Sequence, residues 1–159
     1  MPDSIVRSTL REVEPLDADE LIAVAARRVV DSGLPGLPAV ERDGRFAGIF
    51  GEREFMTALF PGYVGELGSA AMIRRSVDES IERRESCRNE AIRKYLTTDH
   101  VTVGDDYSDT QLAETFLHHR VLVVPITKDG KIVSVVTRNE FFAALVERFE
   151  AVAGATDPG

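Results

Sequence analysis

One pattern occurs twice in this 159-residue chain, and it restricts the available folds more than any other feature. Residues 128–145 run Lys-Asp-Gly-Lys-Ile-Val-Ser-Val-Val-Thr-Arg-Asn-Glu-Phe-Phe-Ala-Ala-Leu. They read as a tight Asp-Gly turn, an apolar strand, a polar corner at Thr137-Arg138-Asn139-Glu140, and a helix. Residues 42–59 have the same shape, with Gly51-Glu52-Arg53-Glu54 at the corner. The turns at Asp43 and Asp129 are 129 − 43 = 86 apart, and Gly48 to Phe55 aligns with Ser134 to Phe141 at the same offset. The strand prolines Pro38 and Pro125 are 125 − 38 = 87 apart, so one residue has been gained or lost. Leu21 and Leu112 are 112 − 21 = 91 apart, which predicts a second-repeat helix about one turn shorter than the first. Self-similarity at a fixed period is the mark of a repeat architecture. Whatever the chain binds is expected at the polar corners.

In chain order, residues 1–16 form an extended polar lead-in. Asp17 is the expected N-cap, with Glu20 three residues on, of a helix that reaches about Asp31 and stops at Gly33. Leu37 to Val40 and Phe46 to Phe50 are strands, and Phe55 to Leu59 belong to a helix ended by Pro61-Gly62. The connector opens loosely with Gly62, Gly65 and Gly68. From Met72 to about Glu90 it reads as a solvated helix with Ile73, Val77 and Ile81 in one narrow apolar stripe, long for a linker and so a candidate to lie against the core or a partner subunit. In the second repeat, Val101 to Val103 is a short strand and Ser108 with Gln111 is a capping pair. Val121 to Ile126 is apolar enough for burial on both faces. Residues 138–149 make the last helix, and Ala151 onward is a frayed tail. The resulting division is 8–60 for repeat one, 61–91 for a helical connector, 92–149 for repeat two and 150–159 for a flexible tail.

Charge and motifs narrow the function. A net charge of −8 disfavours nucleic-acid binding, which needs a basic face, yet leaves room for a small anion held by local arginines. No run of 18 apolar residues provides a membrane span, and no secretory signal is visible at the N-terminus. A single cysteine, Cys87, fits a reducing cytoplasm. Arg83, Arg84 and Arg88 near it would lower its pKa, but a bystander thiol is the default. His118-His119 suits a helix C-terminus better than a metal, because adjacent helical residues point about 100° apart. Asp105-Asp106-Tyr107-Ser108-Asp109 lacks the oxygen spacing of a calcium loop. With no nucleophile–base pair or phosphate loop, an enzyme is not expected.

A strand-helix-strand-strand-helix unit occurring twice, with a proline in the second strand and a polar corner after an apolar strand, resembles the CBS domain pair, or Bateman module. In repeat one the resemblance rests on Ser32 to Val40 and Asp43 to Ile49. In repeat two it rests on Thr97 to Val103, His119 to Ile126, Asp129 to Val133 and Val136 to Phe141. It implies an α+β fold of two tandem β-α-β-β-α repeats packed as one pseudo-symmetric module. It also implies a stand-alone regulatory module that binds AMP, ADP, ATP, S-adenosylmethionine or a related ligand in the inter-repeat cleft and signals to an unidentified effector protein. In the family pattern, a Thr-x-x-Asp corner holds the ribose. Here Thr137 and Glu140 supply it, and Glu is one methylene longer than Asp; Arg138 reads as a solvated arginine first and as a phosphate contact second. Backbone around Thr102, Val103, Val123, Val124 and Pro125 would frame the adenine. The other site, at Leu37, Pro38, Gly51 and Glu54, is degenerate because glycine replaces threonine. A homodimer is implied, with Phe55, Leu59, Phe141, Phe142 and Leu145 as candidates for the interface or, equally, for intra-module core. The alternative is a ligand-independent dimerisation module. Glu140 itself has two readings, a ribose ligand or a first-turn carboxylate favoured by the helix dipole.

Overall fold

Each proline-bearing strand lies at the centre of a three-stranded sheet. The computed structural model describes residues 10–61, 76–98 and 101–156. They fall into two compact units, Pro15–Asp99 and a composite of Met1–Glu14 with His100–Gly159. The expected loose glycines Gly62, Gly65 and Gly68, and Ile73 of the apolar stripe, lie outside the described residues.

The Pro15–Asp99 unit contains β1 (Leu16–Asp17), α1 (Ile22–Ser32), β2 (Gly36–Val40), β3 (Phe46–Gly51), α2 (Glu52–Leu59) and α3 (Val77–Arg83), followed by two 3-10 segments at Glu85–Asn89 and Ile92–Tyr95. Its sheet order is β1-β2-β3, with β1 parallel and β3 antiparallel to β2. Ile22, Ala25 and Val29 form the buried stripe of α1, and Leu37, Ala39 and Phe50 are buried on the strands. Gly33 ends α1 as expected, at φ 72°, with its N–H on the Val30 carbonyl. The start differs: Asp17 lies at the end of β1, and the residue flanking α1 is Leu21, whose side chain makes no cap. Asp17 and Glu20 instead form a turn ahead of the helix, in which the Glu20 N–H donates to the Asp17 carbonyl at 2.9 Å.

The composite unit contains β4 (Val103–Gly104), α4 (Asp109–His118), β5 (Val123–Lys128), β6 (Lys131–Thr137) and α5 (Arg138–Thr156), with sheet order β4-β5-β6. Ser108 caps α4 by accepting the Gln111 N–H at 3.1 Å. Val103, Leu112, Phe116, Val124, Ile126, Val136 and Phe141 make the core, with Leu10 packed against it. The Phe116 and Phe141 rings stack with centroids 5.4 Å apart. Each such fully buried side chain contributes about 1.5–3 kcal/mol from burial alone.

The sheet registers settle the repeat alignment. Leu16 pairs with Ala39, and Val103 with Ile126, so both parallel partnerships begin one residue after the proline. Pro38 and Pro125, which lack an N–H, therefore precede the parallel neighbour in each central strand. Up to this point the offset is 87, as from Leu16 to Val103 and from Ile22 to Asp109. The counterpart of Leu112 is then Ala25, not Leu21, and no helical turn is lost. The helices have 11 and 10 residues, so the second is not stubby. The residue that changes 87 to 86 lies in the hairpins: Val40 pairs with Phe46, but Thr127 with Ile132.

Three further expectations are corrected. The connector is no long solvated helix to Glu90, because α3 ends at Arg83 and the next residues tighten into 3-10 turns that dock on their unit. Ile92 is fully buried, the Ile92 N–H donates to the Glu20 carbonyl, and the Ile22 N–H donates to that of Glu90. Arg84 fastens this segment by donating to the Ala58 carbonyl and the Tyr95 hydroxyl, which in turn donates to Glu90. That hydrogen bond from Tyr95 holds the Glu90 carboxyl below its ordinary range. Cys87 is buried here, and burial pushes its thiol up against the opposing pull of Arg84 and Arg88, contrary to an activated cysteine. At the other end, α5 continues to Thr156, so residues 150–156 are helical rather than frayed.

Leu112→Ala is expected to cost about 2–5 kcal/mol, and Leu117→Ala, at an 81% exposed position, less than about 0.5. Denaturant midpoints at unchanged slope will check both.

Candidate functional site

The corner of the composite unit is made where β6 turns into α5. Thr137 closes the strand as the register partner of Val123 and is buried. The Arg138 N–H donates to the Leu122 carbonyl at 2.9 Å, which fixes the chain direction at the turn. The Thr137 hydroxyl accepts the Glu140 N–H at 3.1 Å and donates to Glu140 Oε1 at 3.0 Å. Threonine is thus the N-cap of α5, in a Thr-x-x-Glu capping arrangement. The Glu140 carboxylate, 23% exposed, also accepts Arg11 Nε at 3.0 and 3.2 Å.

The Pro15–Asp99 unit builds its corner differently. Glu54 is 7% exposed and reaches back to the Gly51 N–H at 2.9 Å. Its second oxygen takes the Thr97 hydroxyl. Gly51 is required by space: a Cβ there would lie 2.2 Å from the Pro35 carbonyl oxygen and 2.5 Å from the Gly36 Cα. That close approach rests on the Glu52 N–H donating to Pro35 at 3.0 Å and on Gly36 pairing with Gly51. No threonine fits at position 51, and Glu54 has two protein donors.

Neither Arg11 nor Thr97 is among the site residues expected from sequence, although Thr97 opens the stretch that carries the resemblance. Each belongs to the leading segment of a repeat, and each pairs with the last strand of the other repeat through two backbone bonds. Arg11 exchanges bonds with Val135 at 3.0 and 2.9 Å, and Thr97 with Ile49 at 3.1 and 3.2 Å. The signal was available: Leu10-Arg11 and Leu96-Thr97 are related by the same 97 − 11 = 86 offset as the corners. Gly48 admits the second segment, since a Cβ there would meet the Thr97 carbonyl oxygen at 2.7 Å.

The remaining sequence candidates are spread along the sheets. Val123, Val124 and Pro125 run along β5 from the corner, with the Val124 side chain in the core. Val103 pairs further along, at Ile126, and Thr102 is exposed beside it. Leu37 and Pro38 lie buried in β2 opposite Phe50 and Ile49. Phe141 is core, Phe55 and Leu59 are half-buried, and Phe142 is 63% exposed. An apolar hollow of about 370 Å³ opens between α1 and α2, lined by Ala26, Val29, Val30, Phe50, Phe55 and Met56 among others. Among the described residues no group of His, Cys, Asp or Glu could hold a metal, and no helix is long and apolar enough to cross a membrane.

The comparisons agree with this architecture. The family model for the CBS domain matches residues 6–61 and again 92–147. No curated protein matches the chain in sequence. Among solved structures, the CBS-domain containing protein ATU1752 from Agrobacterium tumefaciens is similar at TM-score 0.65 and 17% identity, over 89% of this chain and 90% of that one. The CBS domain of a CBS domain containing membrane protein from Sphaerobacter thermophilus gives TM-score 0.66 and 21% identity, over 88% and 84%. CBSX2, solved in complex with AMP, gives 0.65 and 14%, over 92% and 98%. At these identities the likeness is one of fold.

Gly51→Ala is expected to destabilise the chain by about 1–3 kcal/mol through forced backbone displacement. Gly130→Ala, at φ 78° with nothing within 4 Å of its Cβ, should cost about 1–2 kcal/mol. Chemical denaturation of the two variants will show whether contact or conformation governs the first corner.

Proposed function

The chain belongs to the CBS-domain family, and from that premise we propose that it is a regulatory module that binds an adenosine nucleotide or related ligand at the Thr137–Glu140 corner. The observation that carries this reading is the inequality of the corners. Thr137 and Glu140 keep a hydroxyl and a carboxylate side by side, whereas Gly51 has no room for a hydroxyl-bearing side chain. A carboxylate accepts two hydrogen bonds from a cis-diol, which suits Glu140 to the ribose and Thr137 to the ribose or phosphate side. Backbone of Thr102, Val103, Val123, Val124 and Pro125 serves the adenine. Leu37, Pro38, Gly51 and Glu54 form the degenerate counterpart. The AMP complex of CBSX2 supports the ligand class. Binding acts by population shift, stabilising one arrangement that a separate effector protein in the cytoplasm reads.

Melting curves with AMP, ADP, ATP and S-adenosylmethionine test this. At a hundredfold excess over Kd, a true ligand should raise Tm by roughly 5–10 °C. Glu140→Ala should remove the shift. Flat curves with all four at millimolar concentration would sink the ligand reading. They would favour the second one, a ligand-independent dimerisation module, which draws support from both corner carboxylates already having protein donors.

The module is further proposed to be a homodimer. Met56 and Phe142 are equivalent at the 86-residue offset, and both are exposed large apolar residues. With Leu145 and the hollow beside Met56 they offer apolar area to a second chain. Phe142→Glu combined with Met56→Glu should convert the dimer to a monomer in sedimentation without lowering Tm at matched protomer concentration by more than the lost association accounts for. An unchanged sedimentation coefficient would move the interface elsewhere.

A further inference from the structure

Arg11 is held in place at both ends. Its backbone is tied by two hydrogen bonds to Val135, two residues before Thr137. Its side chain meets Glu140 through Nε alone, at 3.0 and 3.2 Å from the two carboxylate oxygens. The terminal Nη groups, with four N–H donors, have no acceptor among the described residues, and the side chain is 51% exposed. The position equivalent to Arg11 carries Thr97, a neutral hydroxyl that is turned onto buried Glu54. One corner therefore presents an oriented, half-satisfied guanidinium and the other does not.

We propose that Arg11 is the phosphate-binding residue of the Thr137–Glu140 corner and makes it selective for phosphorylated over unphosphorylated adenosine ligands. This rests on the ligand reading above. A guanidinium is a planar fork that can give one edge to a carboxylate and the other to a phosphate at once. Glu140 fixes the plane through Nε and leaves the Nη edge for the anion. The pair also cancels the carboxylate's charge, so a phosphate does not meet a bare anion on a chain already at −8. Thr97 in the other unit supplies neither function, which assigns the anion to one corner only.

Calorimetric titration of the full chain with AMP and with adenosine tests this on the wild type, Arg11→Gln and Arg11→Lys. Wild type should bind AMP more tightly than adenosine, and added salt should weaken AMP alone. Arg11→Gln should bind AMP about tenfold more weakly with adenosine affinity unchanged, and Arg11→Lys should lie between. Arg45→Gln, at an exposed pair with Asp43 in the first hairpin, should behave as wild type. Equal AMP binding by wild type and Arg11→Gln overturns the assignment, as does an equal loss for AMP and adenosine, which marks Arg11 as only positioning Glu140. The Lys variant, which keeps the charge, decides the matter if the Gln variant melts early. A wild type that binds AMP and adenosine equally overturns this inference alone. One that binds neither, with ADP, ATP and S-adenosylmethionine also silent, overturns the parent reading with it.

Discussion

In each unit a small backbone bridge brings a leading segment to the corner. At each, a leading segment gives one N–H and one carbonyl to a strand that belongs to the other repeat in sequence. The bridges are Arg11 with Val135 and Thr97 with Ile49. Without them Ile49 and Val135 would leave their outward N–H and carbonyl groups without these partners. With them, each corner receives a side chain from a distant part of the chain, and the corner carboxylate acquires a partner. Sequence repeat and structural unit therefore do not coincide. The chain divides after Glu14 and again after Asp99, not at the start of each repeat.

The identity of the bridging residue sets the character of each corner. Thr97 is short and neutral, so Glu54 can be buried with the Gly51 N–H and the Thr97 hydroxyl as its donors. Arg11 is long and charged, so Glu140 remains partly exposed and carries an ion pair. At exposed positions such a pair is worth only about 0–1 kcal/mol. Its importance lies in where it holds the guanidinium rather than in stability. The crowding at Pro35 and Gly36 completes the division, since it denies position 51 any residue larger than glycine.

Much of this could be read in the sequence, and what could not has specific causes. Period and polarity identified both hairpins, both corners and the capping Ser108, because each is written in adjacent residues. The helix alignment failed because it matched Leu21 to Leu112 by residue type, whereas Leu21 is exposed and the buried counterpart of Leu112 is the small Ala25. The connector was misjudged because 3-10 turns follow from docking of Cys87 and Ile92, a tertiary event without a local signal. Thr137 and Glu140 were found as candidates, while Arg11 was missed because its partner lies 129 residues away.

The bridge at Arg11 also imposes an order on synthesis. Translation proceeds at roughly 5–20 residues per second, so Leu10 and Arg11 leave the ribosome several seconds before Val135 and Glu140 exist. The Pro15–Asp99 unit carries its own bridge at Thr97 and can close while the nascent chain is still growing. The composite unit cannot, because its first strand residue must wait for nearly the last. A stop codon or cleavage late in β6 would thus leave the oldest end of the chain without a place to pair, while the middle of the protein stood folded.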